Sequence, residues 1–186
     1  ALTAVLGLWF LRSAITNGAI DLPVRRNLAS VLDQQERLEE ARAMFEQLET
    51  ETDDPTIPAT RALILDKLGR NADALAVLER LIATHGDRPY FWISYGHALR
   101  AAGRVPDAIG AYRKAATIDF ECGEAWWGLA SIKQKVLTDE DMAEIRRGIE
   151  IAVDVRNSAP LHFALARALH DRARFEEAFH HYAEAN

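Results

Sequence analysis

One cysteine, Cys122, is all that this chain of 186 residues contains, which excludes an internal disulfide framework and any multi-cysteine zinc site. A reducing cytoplasm is the expected compartment. Positive charge is also scarce. The 22 Lys and Arg stand against 28 Asp and Glu, a net charge of −6, so no basic excess exists to neutralise phosphates. Neither nucleic acid nor an anionic membrane is expected as a partner. Long apolar runs are missing too. The most apolar stretch, Ala1 to Leu11, is broken by Arg12 and is too short to span a bilayer. Without a basic leader region or cleavage site beside it, it is not read as a signal peptide. Because the chain begins at Ala1 and not at Met, it reads as an excised fragment with its upstream sequence out of view. No stretch sustains the period-two alternation of a strand, so no sheet is expected.

What is present is a globular balance, 49% hydrophobic and 27% charged, and a repeat. Gly103-Arg104 is followed by Ala108, Tyr112 and Ala115, and 34 positions earlier Gly69-Arg70 is followed by Ala74, Leu78 and Leu81. Arg37 leads in the same way to Ala41, Phe45 and Leu48, and Arg174 to Ala178, Tyr182 and Ala185. The 70 residues between Arg104 and Arg174 leave room for one further unit, placed from Gly123 to Ser158.

Each unit reads as two helices. Trp92, Tyr95, Gly96 and Leu99 fall at i, i+3, i+4 and i+7, an apolar stripe with a small residue where a neighbouring helix must come close. Gly103 ends that helix, since glycine alone takes the left-handed conformation without a Cβ penalty. Pro106 sits in the first turn of the next, whose face carries Ala108, Ile109, Tyr112 and Ala115. In the atypical unit, helix A holds Ala125 to Ile132, and Thr138 with Asp141 resembles a capping box before Met142, Ile145, Ile149 and Ala152.

The spacing Trp92-x2-Tyr95-Gly96-x2-Leu99, then Ala108-x3-Tyr112, matches the tetratricopeptide pattern, with Phe120 where proline is usual. The expected fold is all-α, an α-solenoid of helix-turn-helix repeats forming a right-handed superhelix. One domain covers 1–186: a partial repeat over 1–20, then repeats over 22–54, 55–88, 89–122, 123–158 and 159–186, the last truncated. Eleven helices follow from that division, and both ends read as cut through a repeat. The segments "WISYGHALRAAGRVPDAIGAYRKA", "GEAWWGLASIK" and "LHFALARALHDRARFEEAFHHYAEAN" further resemble the N-terminal repeat region of bacterial tetratricopeptide-sulfotransferase fusion proteins, over residues 55 to 186. That resemblance implies a downstream domain moving a sulfuryl group from phosphoadenosine phosphosulfate to a hydroxyl acceptor.

No residue of this chain is assigned to that chemistry. Gly69, Gly103, Gly110, Gly123 and Gly128 lie at helix ends or on helix faces, and none opens a phosphate-cradling motif. No catalytic residue, cofactor or metal is therefore expected. His162 and His170 are eight residues apart, His180 and His181 are adjacent, and no H-x-x-x-H pair exists, so a metal site would have to be assembled across helices. Cys122 lacks a neighbouring His or Lys and reads as a small packed residue. Asp139-Glu140-Asp141 complements the positive N-terminus of its helix.

The tryptophans divide. Trp92 and Trp126 occupy the first packing position of their repeats and are expected in the core; Trp127, one residue later, falls on the face that lines the inner groove of this fold. Trp9 lies in the partial repeat. The family's groove positions fall here on Tyr90, Ile93, His97, Arg100 and Ala101, on Glu124, Trp127, Ser131, Gln134 and Lys135, and on Pro160, Phe163, Arg167, His170 and Asp171. The candidate binding residues are Tyr90, Ile93, His97, Arg100, Trp127, Ser131, Lys135, Phe163, Arg167 and His170. Arg26, Asn27 and Ser30 only approach the carboxylate-clamp pattern, so capture of a C-terminal carboxylate is not expected. The leading reading is a non-catalytic scaffold holding a protein or peptide in its concave groove. A second makes the repeats the substrate-selecting region of a larger sulfotransferase, and a third is self-association through the truncated ends.

Overall fold

The computed structural model describes residues 22–152 and 155–186, with side chains described from 158 onward in the second range. The expected helix over 1–20, and Trp9 with it, lies outside the described residues. Among the described residues there are ten helices and no strand. The chain divides into two compact units, Ala1–Arg70 and Asn71–Asn186.

In the first unit, α1 (Leu22–Gln34), α2 (Leu38–Glu49) and α3 (Thr56–Lys67) share one core of Ala29, Leu32, Ala41, Phe45, Leu48, Ile57 and Ile64. Beside this core Arg25 is buried, and its guanidinium donates to both carboxylate oxygens of Glu51 at 2.6 and 2.8 Å. That geometry lets a buried cation keep its charge. Arg61 pairs with Glu49 at 2.7 Å.

The second unit holds α4 (Asn71–His85), α5 (Pro89–Ala101), α6 (Val105–Ile118), α7 (Gly123–Ala130), α8 (Asp139–Ile151), α9 (Val155–His170) and α10 (Phe175–Glu184). Three-residue connections join α5 to α6 and four-residue connections join α6 to α7 and α9 to α10, short enough to fold each helix back along its predecessor. Tyr112 is fully buried, with Leu99, Leu129, Leu161, Leu165 and Leu169 around the same unit's core.

One turn recurs wherever the sequence places its landmark arginine. Arg37 N–H bonds to Leu32 O at 2.9 Å, Arg70 to Leu65 at 2.8 Å, Arg104 to Leu99 at 2.9 Å and Arg174 to Leu169 at 3.0 Å. These six-to-one bonds are the Schellman closure, which needs a left-handed residue just before the arginine. Gly69 and Gly103 supply it with φ of 73° and 76°. At the other two copies Glu36 and Ala173 take φ of 59° without being glycine. Arg37, Arg104 and Arg174 then reach forward three residues to Glu40, Asp107 and Glu177, which favours the start of the following helix.

The atypical unit departs from its neighbours. Helix α7 has only 8 residues and stops at Ala130, short of the expected Ile132, so Gln134 and Lys135 lie in the connection to α8. Thr138 and Asp141 form the expected capping box. Asp141 has a further partner that the sequence did not announce: Arg113 donates to its two oxygens at 2.8 and 3.0 Å and to Val136 O at 2.7 Å. Helix α9 begins at Val155, ahead of the expected start of the fifth repeat at Ala159, and Pro160 stands inside it.

Candidate interaction surface

Two adjacent indoles in α7 have opposite fates. Trp126 is 4% exposed, and its Nε1–H donates to Phe120 O at 2.8 Å. Trp127 is 41% exposed. Successive residues of a helix point about 100° apart, so when one faces the neighbouring helices the next must face away. Trp92, expected in the core, is half-buried and makes the same bond as Trp126, from Nε1 to Gly86 O at 2.9 Å. Both tryptophans thus fasten the start of a helix to the carbonyl of the preceding turn.

Trp127 is not isolated. Phe163 of α9 stands 5.6 Å from it between ring centroids, and Tyr182 of α10 stands 6.3 Å from Phe163. One helical turn beyond Trp127 lies Ser131, which donates to Gly128 O at 2.8 Å and accepts from Arg100 of α5 at 2.6 Å. One turn beyond Phe163 lies Arg167, whose Nε is 3.2 Å from Asp171. Lys135, Arg167 and Asp171 line a small open depression together with Leu129 and Ala130. The structure therefore brings Trp127, Phe163, Arg100, Ser131, Lys135 and Arg167 into one neighbourhood.

The other candidate residues are placed differently. His97 is half-buried, with Nδ1 2.8 Å from the Tyr112 hydroxyl and Nε2 3.6 Å from Glu124. The neighbouring His97 imidazole holds the Glu124 carboxyl below its ordinary range, and burial pushes the Tyr112 phenol up. Ile93, expected on the groove, is 2% exposed and is a core residue. Its position looks outward in the family template, but here it is enclosed within the packed side of α5. Tyr90 is 47% exposed at the start of α5, edge-on to Phe91. His170 is exposed at the end of α9, with its ring 5.4 Å from Phe175.

A second cluster lies on the α9 and α10 pair. His162 Nδ1 and His181 Nδ1 are 3.0 Å apart, and the His180 ring is 5.5 Å from that of His181. Burial lowers the pKa of both His162 and His181, with like-charged histidines adding to the effect. Among the described residues no group of three or more His, Cys, Asp or Glu is arranged to hold a metal ion. Burial raises the Cys122 thiol pKa, which suppresses the thiolate a nucleophile requires. Sequence reasoning missed Tyr182 and the His162–His181 pair, since each depends on how two helices are rotated against each other. No described helix is long and apolar enough to cross a membrane.

Family models described as tetratricopeptide repeat match residues 24–48 and 60–119. No curated protein sequence matches the chain. Solved structures similar to it include PilF of Pseudomonas aeruginosa, 15% identical with a TM-score of 0.65 over 88% of this chain and 74% of that one. A thermophilic tetratricopeptide protein of Thermus thermophilus is 19% identical, with a TM-score of 0.61 over 89% and 90% of the two chains. MamA of Desulfovibrio magneticus is 14% identical, with a TM-score of 0.59 over 88% and 92%. Identities this low speak to fold. Together with the recurring helix pairs and their shared closing turn, these matches identify the helix pairs within residues 24–48 and 60–119 as tetratricopeptide repeats and agree with an all-helical repeat fold.

Proposed function

We propose that the chain is a non-catalytic scaffold that holds a protein or peptide segment on the face formed by Trp127, Phe163, Arg100, Ser131, Lys135 and Arg167. The observation that carries this reading is the 41% exposure of Trp127 beside a buried Trp126. A large, part-exposed aromatic tilted against a second aromatic and bordered by arginines has the composition of a binding hot spot. Tyr90, His97 and His170 would extend the contact at its margins. A reducing, cytoplasmic setting agrees with the single cysteine. The test is affinity for a selected peptide before and after Trp127→Ala, with light scattering across concentration to detect self-association of copies.

The resemblance of residues 55 to 186 to the repeat region of sulfotransferase fusions supports a second reading, in which the partner is a sulfotransferase domain of the same protein. Titration calorimetry with adenosine 3′,5′-bisphosphate should then show no binding by these repeats alone, and micromolar affinity would overturn the assignment of that chemistry elsewhere.

A further inference from the structure

The charge on this face runs against the charge of the molecule. The chain carries a net −6, yet Arg100, Lys135, Arg167 and Arg172 gather beside the aromatic pair. Of the carboxylates nearby, Asp171 is paired with Arg167 at 3.2 Å, and Glu124 stands 3.6 Å from the His97 ring. Arg172 is likewise neutralised, by Asp139 at 3.0 Å. Arg100 and Lys135 are exposed and have no carboxylate within 4.0 Å among the described residues. Arg100 spends one N–H on the Ser131 hydroxyl at 2.6 Å, a neutral partner that fixes the guanidinium in place and leaves its charge uncompensated.

That guanidinium is held at a defined spot. Ser131 N–H bonds to Trp127 O at 2.9 Å, so the hydroxyl gripping Arg100 sits one turn from the indole, roughly 5 Å along the axis. Phe163 and Arg167 have the same i, i+4 relation on α9. An arginine therefore stands one turn beyond each aromatic, Arg167 on the same helix as Phe163 and Arg100 brought from α5 by its bond to Ser131. A cation with free donors beside an exposed aromatic favours an anionic group joined to an apolar one.

We propose that this face receives an acidic peptide segment. An aromatic or large aliphatic side chain of that segment seats on Trp127 and Phe163, and an Asp or Glu one or two residues along it meets Arg100 and Lys135. The inference rests on the scaffold reading above and adds the chemistry of the partner. Its carboxylate is a side chain within the peptide, and a free C-terminus is not required.

A phage-displayed random peptide library, selected in parallel on the wild-type chain and on Trp127→Ala, tests both readings separately. Synthetic copies of the peptides enriched only on the wild type, capped at both termini, are then measured by fluorescence anisotropy. The inference expects those peptides to carry Phe, Trp, Tyr or Leu next to Asp or Glu. Their affinity should weaken on adding salt and fall about tenfold or more in Arg100→Glu/Lys135→Glu, a variant whose helical circular dichroism is unchanged. If Trp127-dependent peptides are neutral or basic, or if the double charge reversal leaves acidic peptides bound as before, the charge inference is wrong and the scaffold reading survives. If no peptide depends on Trp127, both are wrong.

Discussion

Gly128 is pressed against the ring of Tyr112: a Cβ built on it would lie 2.7 Å from Cδ1 of the tyrosine. Gly96 meets the same ring from α5, where a Cβ would come within 2.6 Å of Cε1. Tyr112 is fully buried between them, so an added methyl has to displace the ring or a helix backbone. Alanine is the better helix former by about 1 kcal/mol, but overpacking of this kind costs about 1 to 3 kcal/mol. Gly96→Ala and Gly128→Ala should therefore lower the melting temperature, each by several degrees. A rise in either variant would show that the ring has room to shift.

The Schellman turns give the opposite sign. Glu36 and Ala173 hold φ of 59°, where a Cβ is disfavoured by about 1 to 2 kcal/mol. Replacing either by glycine removes that strain but adds unfolded-state entropy of up to about 1 kcal/mol. Glu36→Gly and Ala173→Gly are expected to stabilise by up to about 1 kcal/mol in chemical denaturation, and Gly69→Ala and Gly103→Ala to destabilise by a similar amount. The last two have open space around the added methyl, so any loss reports backbone conformation and not packing.

Asp141 serves three donors: the Thr138 N–H at 2.8 Å and two nitrogens of Arg113. Its side chain is 10% exposed. Arg113→Met leaves that carboxylate enclosed with only the cap to hold it, and should cost about 2 to 3 kcal/mol. The double variant with Asp141→Ser, which keeps a capping oxygen without the charge, should recover part of the loss. A simple sum of the two single effects would mean that the pair does not act as a unit.

Stability should also fall on acidification. In the folded chain one imidazole of the His162–His181 pair donates and the other accepts across 3.0 Å, an arrangement that needs at least one neutral ring. Both pKa values are lowered on folding. Well above pH 6.5 both rings are neutral in either state and the pair contributes no pH dependence. As pH falls below that value the unfolded chain takes up protons that the folded one resists, so stability is lost down to the folded pKa values. His180 and Arg146 oppose protonation of His181, while Glu177 favours it and Glu184 favours protonation of His162. Melting temperature measured from pH 8 to 5 should drop less steeply in His162→Gln/His181→Gln. An unchanged slope would assign the acid sensitivity to other groups.

Which features were legible in the sequence follows from what sets them. Gly96 announced a close approach because the helical stripe around it is otherwise apolar, and Gly103 announced a stop because the left-handed turn is a property of one residue. The opposite facing of Trp126 and Trp127 needed only the helical period and a repeat register. Ile93 takes a groove position from the family template, while its burial is decided by the packing of this chain. Lys135 lies beyond α7, which ends at Ala130, so its place depends on a connection and not on the helical period. The bonds from Arg113 to Asp141 and from His162 to His181 join residues 28 and 19 positions apart. Such pairs depend on how one helix is rotated against another, which no local pattern encodes. Glu36 and Ala173 are residue types that ordinarily continue a helix, so their left-handed turns carried no signal.

The account stands most directly on the comparison of two neighbouring substitutions, each measured for melting temperature and for affinity toward a peptide selected on the wild-type chain. Trp126→Ala opens a core cavity and breaks the bond to Phe120 O, and should cost about 3 to 5 kcal/mol of stability. Trp127→Ala should leave the fold nearly intact and weaken peptide binding by about 2 kcal/mol. Unfolding by Trp127→Ala with a stable Trp126→Ala, or peptide binding indifferent to Trp127, would contradict it.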